Sequence, residues 1–410
     1  MRLNVLAAGF CLALVSCSPV LRADYTGMAI WDASHWPDEL PDVQIANSPH
    51  PQPSSTPTPT PVPSPKALRR VTINVSGDLL WHNTLWTSAQ QDASRTGRGQ
   101  MDFFPQLAHL QSFVSRASIG ICHSEVPFAP PQGPFRNFPL FAAPPSIAPA
   151  LKEVGWDICT TASNHTMDGG WPGVVRTIET HEEAGLRTVG TYRTREEAET
   201  PTIYEAAGVK VGFVSQAYGL NGLSRPADKP WAVSLLDADK AIADARKAKE
   251  AGADIVGVHM HAGTEYSREL NREQIDFVAA VTASEHVDFV FGQHAHVVQP
   301  IDRVNGKWVV YGAGNLIAQS GPPYPYTYDG YMAEFTFTET SPGVFDSELL
   351  WAPTHITRHR NGSPARVYLI PEALDQGIGP TTQLKESAAR TRAIVGQVPG
   401  LRELGQADNN

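Results

Sequence analysis

Polar residues that carry metal-ligand atoms stand directly after several apolar, strand-like runs of the sequence. Two histidines one residue apart, His294 and His296, follow the run VDFVF at residues 287–291. Because the carboxyl ends of parallel strands meet at one edge of an α/β sheet, where ligands bind, we expect such residues to lie close together. The residues that follow five runs of this kind are Asp78, His82, His123, Glu125, Asn164, His165, Asp168, His259, His261, Glu265, His294 and His296.

These side chains predict a site for two divalent metal ions. A single histidine at a strand end is usually a hydrogen-bonded structural residue, and a single aspartate there is usually a helix N-cap. That interpretation does not account for the same feature at five strands. Imidazole and oxygen ligands without thiolates suit Mn, Fe, Co or Zn, and the candidates outnumber the ligands that one ion requires. We therefore expect two ions that share a bridging carboxylate.

The histidine pair at 294 and 296 is expected to serve both ions. In an extended segment, alternate side chains lie on the same face. His294 and His296 are therefore predicted to point the same way and to reach two ions about 3.5–4 Å apart.

The segments between these residues predict an α/β fold. Amphipathic stretches such as residues 237–252 separate the apolar runs, and this alternation is typical of a sheet covered by helices. Residues 331–354 read as added antiparallel strands, and residues 381–410 as a polar tail with one exposed helix. The predicted strands are VTINVS from Val71, SIGIC (118–122), DICTTA (157–162), KVGFVSQ (210–216), DIVGVH (254–259), VDFVF (287–291) and WVVYG (308–312).

The first 17 residues, MRLNVLAAGFCLALVSC, have the composition of a secretory signal. The segment is too short for a stable membrane span. Its end resembles the bacterial lipobox, which implies cleavage before Cys17 and lipidation of Cys17. The protein is then expected on the extracytoplasmic face of a bacterial cell membrane, held by lipid. The alternative is an ordinary signal peptide that is cleaved elsewhere, for example after Ala23.

Composition divides the remaining chain into a spacer and a globular part. Residues 18–66 are expected to form a disordered arm and linker, because residues 49–66 are rich in Pro, Ser and Thr and favour an extended spacer. Residues 67–380 are predicted to form the globular domain, and residues 381–410 its polar tail.

Charge and cysteine content limit the partners. The net charge of −10 argues against a nucleic-acid partner, which would require a basic face. An acidic protein that handles an anion requires a local positive centre, and a metal ion supplies one. Cys122 and Cys159 are the cysteines of the globular part. They are expected either to pair in an oxidising compartment or to pack as two buried thiols.

Taken together, the motifs resemble a known family. The series SGDLLWH, ICHSE, SNHTMDGG, HMHAGTEY, GQHAHVVQPI and YGAGNLI, over about residues 70–320, is similar to the bacterial capsule-synthesis proteins of the CapA type, which are linked to poly-γ-glutamate. Those proteins belong to the calcineurin-like metallophosphoesterase superfamily. The resemblance implies a layered α/β/β/α sandwich with a metal site at its strand ends.

The resemblance also implies a cofactor and its ligands. The cofactor would be two divalent ions, with Mn, Fe and Zn as the candidates. Glu125 resembles the carboxylate that bridges both ions, and Asn164 resembles the amide ligand of the second ion. His261 is similar to a further ligand of the second ion, although strand alternation leaves His259 as an alternative. The ligand set implied for the metals is Asp78, His82, Glu125, Asn164, His261, His294 and His296.

Two further residues are implied in catalysis. His165 is similar to the histidine that protonates the leaving group. Asp168 would orient His165, cap the helix that begins near Gly170, or stabilise the loop. The sequence departs from the conventional Asp-x-His first motif, because Leu80 stands in the histidine position and His82 is the nearby replacement. The departure puts ordinary phosphoesterase activity in question.

These features predict a cell-surface lipoprotein that makes or exports an anionic capsule polymer of the poly-γ-glutamate type, with a hydrolase-like dinuclear site. The expected partners are that polymer or its precursor, the membrane, and the proteins of polymer synthesis or export. The alternative is a metal-stabilised subunit that binds or assembles the polymer without catalysis. A third interpretation is a secreted α/β lipoprotein whose polar residues are all structural.

Overall fold

The structure is a computed structural model, and it describes residues 68–321 and 324–406. The predicted signal peptide with Cys17, and the predicted arm and linker at 18–66, lie outside the described residues. Among the described residues, no helix combines the length and the apolar composition that a membrane span requires.

The described residues form strands and helices in alternation over much of the chain. The strands are β1 (Arg70–Leu79), β2 (Ile119–Ser124), β3 (Ile158–Thr160), β4 (Arg187–Val189), β5 (Thr202–Ala206), β6 (Val209–Ala217), β7 (Ile255–His261), β8 (Phe289–Gln293), β9 (Ile301–Val304), β10 (Lys307–Val310), β11 (Asn315–Ile317), β12 (Asp329–Ser341), β13 (Val344–Ile356), β14 (Val367–Leu369) and β15 (Leu401–Glu403). The α-helices are α1 (Asn83–Thr96), α2 (Phe104–Leu107), α3 (Gln111–Ser115), α4 (Ile147–Val154), α5 (Gly170–Glu183), α6 (Arg195–Glu199), α7 (Ala238–Glu250), α8 (Arg272–Ala283), α9 (Ile370–Asp375) and α10 (Thr381–Val395). Two short 3-10 turns cover Ala108–Leu110 and Tyr326–Tyr328.

The strands form two sheets. The first has the order β14-β13-β12-β1-β2-β3-β4, with β11 paired to β1 and β15 paired to β13. Its strands β1 to β4 are parallel, whereas β12 runs antiparallel to β1. The second sheet has the order β5-β6-β7-β8-β10-β9, and its central strands β6, β7, β8 and β10 are parallel.

The two sheets pack face to face, and helices cover their outer faces. Ile73 of β1 and Phe335 of β12 share one buried cluster with Phe289 of β8 in the other sheet. The outer face of the first sheet is buried under α1 and α4, and that of the second sheet under α7 and α8. Strands that are buried on both faces explain the continuous apolar runs of the sequence. The predicted layered α/β/β/α sandwich is confirmed.

Helix α7 shows how local sequence defines an element. Asp237 is its N-cap, and its side chain accepts a hydrogen bond from the backbone N–H of Lys240. Ala241, Ala245 and Ala248 recur at helical spacing and are buried against the second sheet.

The C-terminal part of the chain differs from the expected exposed tail. Residues 381–395 are helical, as predicted, but Leu384 and Ala388 of α10 are buried. Strand β15 then pairs in parallel with β13. Small and apolar residues at helical spacing give α10 a packing face, which the polar composition of the segment hides.

Cys122 and Cys159 lie opposite each other on β2 and β3 and form a disulfide, with their Cα atoms 4.5 Å apart. Of the two alternatives that the sequence allowed, the structure therefore has the pair. The disulfide lies one residue before His123, so it joins two strands that carry site residues.

Candidate metal centre

The polar residues of five strand ends meet at one place between the two sheets. Asp78 lies in β1 and His123 in β2, Glu125 directly follows β2, and Asn164 lies in the loop after β3. His259 and His261 lie at the end of β7, and His294 and His296 lie in the loop after β8. At most 3% of the surface of any of these eight residues is exposed. A polar cluster buried so completely requires partners for its ligand atoms.

Three groups of side chains, taken from these residues and the exposed Glu265, bring ligand atoms within 4.8 Å of one another. The groups are His123, His259 and His261; Asp78, His123 and Glu125; and Glu265, His294 and His296. The first group joins His123 of the first sheet to two histidines of the second sheet, so the packing of the two sheets brings the parts of the centre together.

Several ligand atoms of the centre have no hydrogen-bond partner among the described residues. They are His123 Nε2, both carboxylate oxygens of Glu125, His259 Nε2, His261 Nδ1 and His294 Nδ1. Buried polar atoms in native proteins are nearly always paired, because an unpaired one costs about 1–3 kcal/mol. Imidazole nitrogens and carboxylate oxygens that converge without protein partners fit divalent cations.

The carboxylate part of the centre contains Asp78, Glu125 and His296. His296 Nδ1 lies 3.3 Å from Asp78 Oδ2, and His296 Nε2 lies 3.4 Å from Glu125 Oε1. Burial disfavours a charged His296, but the carboxylates of Glu125 and Asp78 outweigh burial and raise its pKa to about 10. Burial raises the pKa of Glu125 well above its usual range, and the neighbouring Asp78 adds to that effect. The two carboxyl groups therefore favour a positive charge beside them.

The backbone at His294 and His296 is not extended as predicted. His294 has a φ of 102° and His296 a φ of 56°, so both residues are in left-handed conformations. The prediction that alternation along a strand aligns the two side chains is therefore wrong. A hydrogen bond to a side chain stabilises the observed turn, since the backbone N–H of His294 donates to Asp78 Oδ1 at 3.1 Å. The turn still brings both imidazoles into one group with Glu265. Such conformations cost about 1–3 kcal/mol each and concentrate at functional sites.

Asn164 contacts His261 across the two sheets. Asn164 Oδ1 lies 2.9 Å from His261 Nε2, and the Asn164 amide group donates to Asn221 Oδ1 at 3.2 Å. The second contact fixes the orientation of the Asn164 amide, so that its oxygen faces the centre. That oxygen has a second lone pair, which can also bind a cation.

The chain matches a known protein family. Residues 72–320, more than half of the chain, match the bacterial capsule synthesis protein family PGA_cap. The chain belongs to this family.

Two proteins that are similar in sequence to this chain have names that refer to capsule or PGA biosynthesis. Over 203 residues the chain is 27% identical to capsule biosynthesis protein CapA of Bacillus anthracis, with 48% of each protein covered. It is also 27% identical over 203 residues to PGA biosynthesis protein CapA of Bacillus subtilis, with 48% of this chain and 51% of that protein covered. The match therefore spans about half the length of each relative.

Among solved structures, the chain is similar to calcineurin-like phosphoesterase YfkN from Bacillus subtilis. The sequence identity is 13% and the TM-score 0.41, with 79% of this chain and 98% of that chain covered.

In the structure, His123 and not His82 provides the extra imidazole beside Asp78. His82 is outside all three ligand groups; it is the N-cap residue of α1, and its Nδ1 accepts a hydrogen bond from the backbone N–H of Gln319 at 3.1 Å. His123 Nε2 instead lies 4.0 Å from Asp78 Oδ1. His123 thus supplies an imidazole beside the first aspartate, a contribution that Leu80 cannot make.

The implied ligand set omitted two histidines, His123 and His259, that the structure places in the centre. His259 and His261 both belong to the ligand group of His123. Both histidines, and not only one of the two, are therefore candidate metal ligands. Each omitted histidine stands two residues before an expected ligand, Glu125 or His261, and period-two spacing along a strand is the signal that could have found both.

His165 and Asp168 lie beside the centre. His165 Nδ1 contacts Asp168 Oδ2 at 2.7 Å, and the same oxygen accepts a hydrogen bond from the backbone N–H of Phe141 at 2.8 Å. The N-cap of α5 is Gly169, and it receives no side-chain hydrogen bond. Asp168 therefore orients His165 and the loop at Phe141 rather than capping α5. Arg136 of the same loop donates to the backbone carbonyl of Asp168 at 3.1 Å.

Burial keeps the other histidines of the centre in the form that binds metals. It lowers the pKa of both His259 and His294 to about 3. It also lowers the pKa of His123 and His261 well below the usual value, and neighbouring histidines add to the effect. Neutral imidazoles are ligands, whereas protonated ones are not.

Proposed function

We propose that the protein makes or exports an anionic capsule polymer of the poly-γ-glutamate type, and that its centre is a two-metal, hydrolase-like site. The observation that carries the metal site is the set of buried ligand atoms without protein partners among the described residues, to which the ends of three strands, β2, β7 and β8, contribute. The proposed ligands from the expected set are Asp78, Glu125, Asn164, His261, His294 and His296. His82 has no contact in the structure that supports such a role.

When bound, two divalent ions supply a nucleophilic hydroxide at neutral pH and neutralise negative charge on the substrate. His165 then acts as the general acid, since Asp168 holds its Nδ1 and leaves Nε2 to donate a proton to the leaving group. His165 is 6% exposed, compared with at most 3% for the eight buried polar residues of the centre, which suits a group that meets substrate.

The substrate class rests on the family and on charge. The names of the two relatives refer to capsule and PGA biosynthesis. The chain has a net charge of −10, so the cations of the centre would provide the local positive charge that an anionic polymer or its linkage requires. Proteins of polymer synthesis or export are the proposed partners, and nucleic acid is not.

A second candidate function has its own observation. Asp78, His123, His259 and His261 are fully buried, and Glu125 is 1% exposed. Burial of this degree also suits ions that stabilise the fold of a polymer-binding or assembly subunit without catalysis.

The proposed location is the extracytoplasmic face of a bacterial cell membrane. The signal-like N-terminus supports export, and the Cys122–Cys159 disulfide supports an oxidising compartment. Membrane fractionation of cells that express the wild-type protein or a Cys17→Ala variant tests the lipid anchor. We expect the variant to leave the membrane fraction, and an unchanged distribution would contradict the anchor.

Metal content and activity of the purified full-length protein test the proposed function. We expect about two equivalents of Mn, Fe or Zn in the wild type, and loss of metal in an Asn164→Ala/His294→Ala double variant. Poly-γ-glutamate and a generic phosphoester are the first substrates to assay. Bound metal without turnover of either, together with polymer binding, would favour the assembly subunit. No bound metal after reconstitution would contradict both candidates.

A further inference from the structure

A group of tyrosines and arginines lies beside the centre and outside its ligand groups. The rings of Tyr324 and Tyr328 have centroids 5.3 Å apart, and the guanidinium carbon of Arg358 lies 5.2 and 5.6 Å from these two centroids. The guanidinium carbon of Arg268 lies 4.7 Å from the ring centroid of Tyr326. A guanidinium within about 6 Å of an aromatic ring is attracted to its face. One segment with three tyrosines therefore holds two arginines.

The exposed arginines of this group have no acidic partner. No carboxylate oxygen of the described residues lies within 4.0 Å of a guanidinium nitrogen of Arg268, Arg358 or the nearby Arg360. By contrast, Arg272 is also exposed but lies 2.8 Å from Asp276. Because a stacked guanidinium keeps its N–H donors in the plane of the group, Arg268 and Arg358 can still donate two parallel hydrogen bonds to a carboxylate.

A cavity of about 300 Å³ adjoins this group of side chains. Tyr324, Tyr328, Arg358 and Arg360 are among the residues that line it. This volume is at the lower limit of ligand pockets, so the cavity suits a short section of a longer ligand.

Asn315 connects the tyrosine segment to the centre. Its Oδ1 lies 3.0 Å from His296 Nδ1, and its amide nitrogen donates to the backbone carbonyl of Thr327 at 2.9 Å. Thr327 lies between Tyr326 and Tyr328 in the chain. The tyrosine segment is therefore fixed next to a histidine of the centre.

A second connection runs through Tyr266. Its ring centroid lies 6.0 Å from that of His296, and its side chain is 43% exposed. Arg268, which contacts Tyr326, follows two residues later in the chain. Tyr266 thus lies between the centre and the exposed arginines.

We propose that this arginine–tyrosine surface binds successive carboxylates of an anionic polymer, while another part of the same polymer lies at the centre. The proposal rests on the proposed function for the identity of the polymer, but binding at the surface does not require metal ions. The chain has a net charge of −10, so exposed arginines without acidic partners provide local attraction for a polyanion. Several such arginines suit a ligand with repeated charges, because each further contact is made within one complex. The surface consists of Arg268, Tyr324, Tyr326, Tyr328, Arg358 and Arg360.

Calorimetric titration of the metal-stripped full-length protein with poly-γ-glutamate tests the proposal. The wild type is expected to bind the polymer, and raising NaCl from about 50 to 500 mM should weaken binding because salt screens exposed charges. The triple variant Arg268→Gln/Arg358→Gln/Arg360→Gln is expected to bind about 10-fold more weakly or worse, since hydrogen bonds to charged groups are lost. Its binding should also depend less on salt.

The triple variant Arg246→Gln/Arg272→Gln/Arg402→Gln is the matched control. It changes the net charge equally, but each of its arginines is exposed and lies near a carboxylate, of Glu250, Asp276 and Glu348 respectively. The control is expected to bind the polymer as the wild type does.

Three results would overturn this inference and leave the metal centre to be judged by its metal content. They are wild-type affinity in the first variant, equal loss of affinity in both variants, and equally strong binding of polyphosphate of the same length. A wild type that binds no polymer would overturn the inference together with the proposed substrate. Polymer binding that only the first variant loses would support the inference even if the centre bound no metal.

Discussion

Asp329 and Glu125 are both buried carboxylates, with 2% and 1% of their surfaces exposed, but they have opposite surroundings. Arg390 contacts Asp329 with two hydrogen bonds of 2.6 and 2.8 Å. Neither oxygen of Glu125 has a hydrogen-bond partner among the described residues. Burial raises the pKa of each carboxyl group, yet the hydrogen bonds from Arg390 outweigh burial at Asp329 and help to lower its pKa overall. The pKa of Glu125 stays well above its usual range.

The two regions differ in whether the chain itself supplies a partner for the buried carboxylate. Where this fold buries a carboxylate for stability, it supplies a guanidinium, and Asp92 with Arg366 is a second example. At the strand ends it buries carboxylates and imidazoles together and leaves their ligand atoms free. The second region fits a cation from outside the chain, whereas the first is complete in itself.

Glu125→Gln should give the largest effect, and it should act on function rather than on stability. An uncharged amide would bind divalent cations more weakly than a carboxylate, so we expect metal-dependent activity to fall by about 10³-fold or more. The free energy of unfolding of the metal-stripped protein should stay within about 1 kcal/mol of the wild type, because burial already favours the neutral carboxyl. Activity assays and urea denaturation measure the two effects. Strong destabilisation without loss of metal would mean that Glu125 is structural.

Asp329→Asn should show the opposite behaviour. It leaves Arg390 partly buried without its counter-charge, so the free energy of unfolding should fall by about 3–5 kcal/mol. Metal content should not change in the folded protein. Elemental analysis beside urea denaturation checks both expectations, and loss of metal from a folded Asp329→Asn protein would contradict the separation of the two regions.

His165→Ala tests whether the oriented histidine is the general acid. We expect kcat to fall by about 10²–10⁴-fold with metal content unchanged. His82→Ala is the matched control, since both imidazoles contact Phe141, with ring centroids 4.9 Å away for His165 and 5.7 Å for His82. The control should keep most of its activity. Equal activities in the two variants would remove His165 from catalysis.

The sequence predicts the elements of the fold because its central strands are buried on both faces. Such strands read as continuous apolar runs, and the polar residues after them stand out. Short edge strands such as β4, β11 and β14 have three residues each and show no periodicity. Their positions follow from pairing with distant strands, which a local pattern does not encode.

The sequence predicts which residues form the site more readily than it predicts their geometry. Strand ends identified Asp78 and Asn164, but His294 and His296 have positive φ angles, and the backbone of His294 contacts Asp78 of a distant strand. Proximity in sequence favoured His82 as the extra imidazole beside Asp78. The pairing of β1 with β2 brings His123 opposite Asp78 instead, 45 residues further along the chain.

Lowering the pH should distinguish His181, a buried histidine outside the ligand groups, from the histidines of the centre. The expected effect is smaller than those of the variants above. Burial lowers the pKa of His181 to about 4, whereas a histidine in the unfolded chain titrates near 6.5. Between these values the unfolded state binds one more proton, so stability is complete above about pH 6.5 and falls as the pH drops towards 4. His181→Leu should therefore reduce the pH dependence of the unfolding free energy by up to about 1.4 kcal/mol per pH unit in this window.

The same titration with Zn²⁺ distinguishes His181 from the histidines of the centre. Zn²⁺ binds neutral imidazoles only in the folded state, so it should add stability that is lost as protons compete for the ligands. His181→Leu should keep this Zn²⁺-dependent stabilisation in full, because His181 lies outside the ligand groups. Urea denaturation at several pH values, with and without Zn²⁺, measures both quantities. If His181→Leu reduced the effect of Zn²⁺ as much as the Asn164→Ala/His294→Ala double variant does, the unpartnered nitrogens of the centre would no longer be distinguishable from ordinary buried histidines.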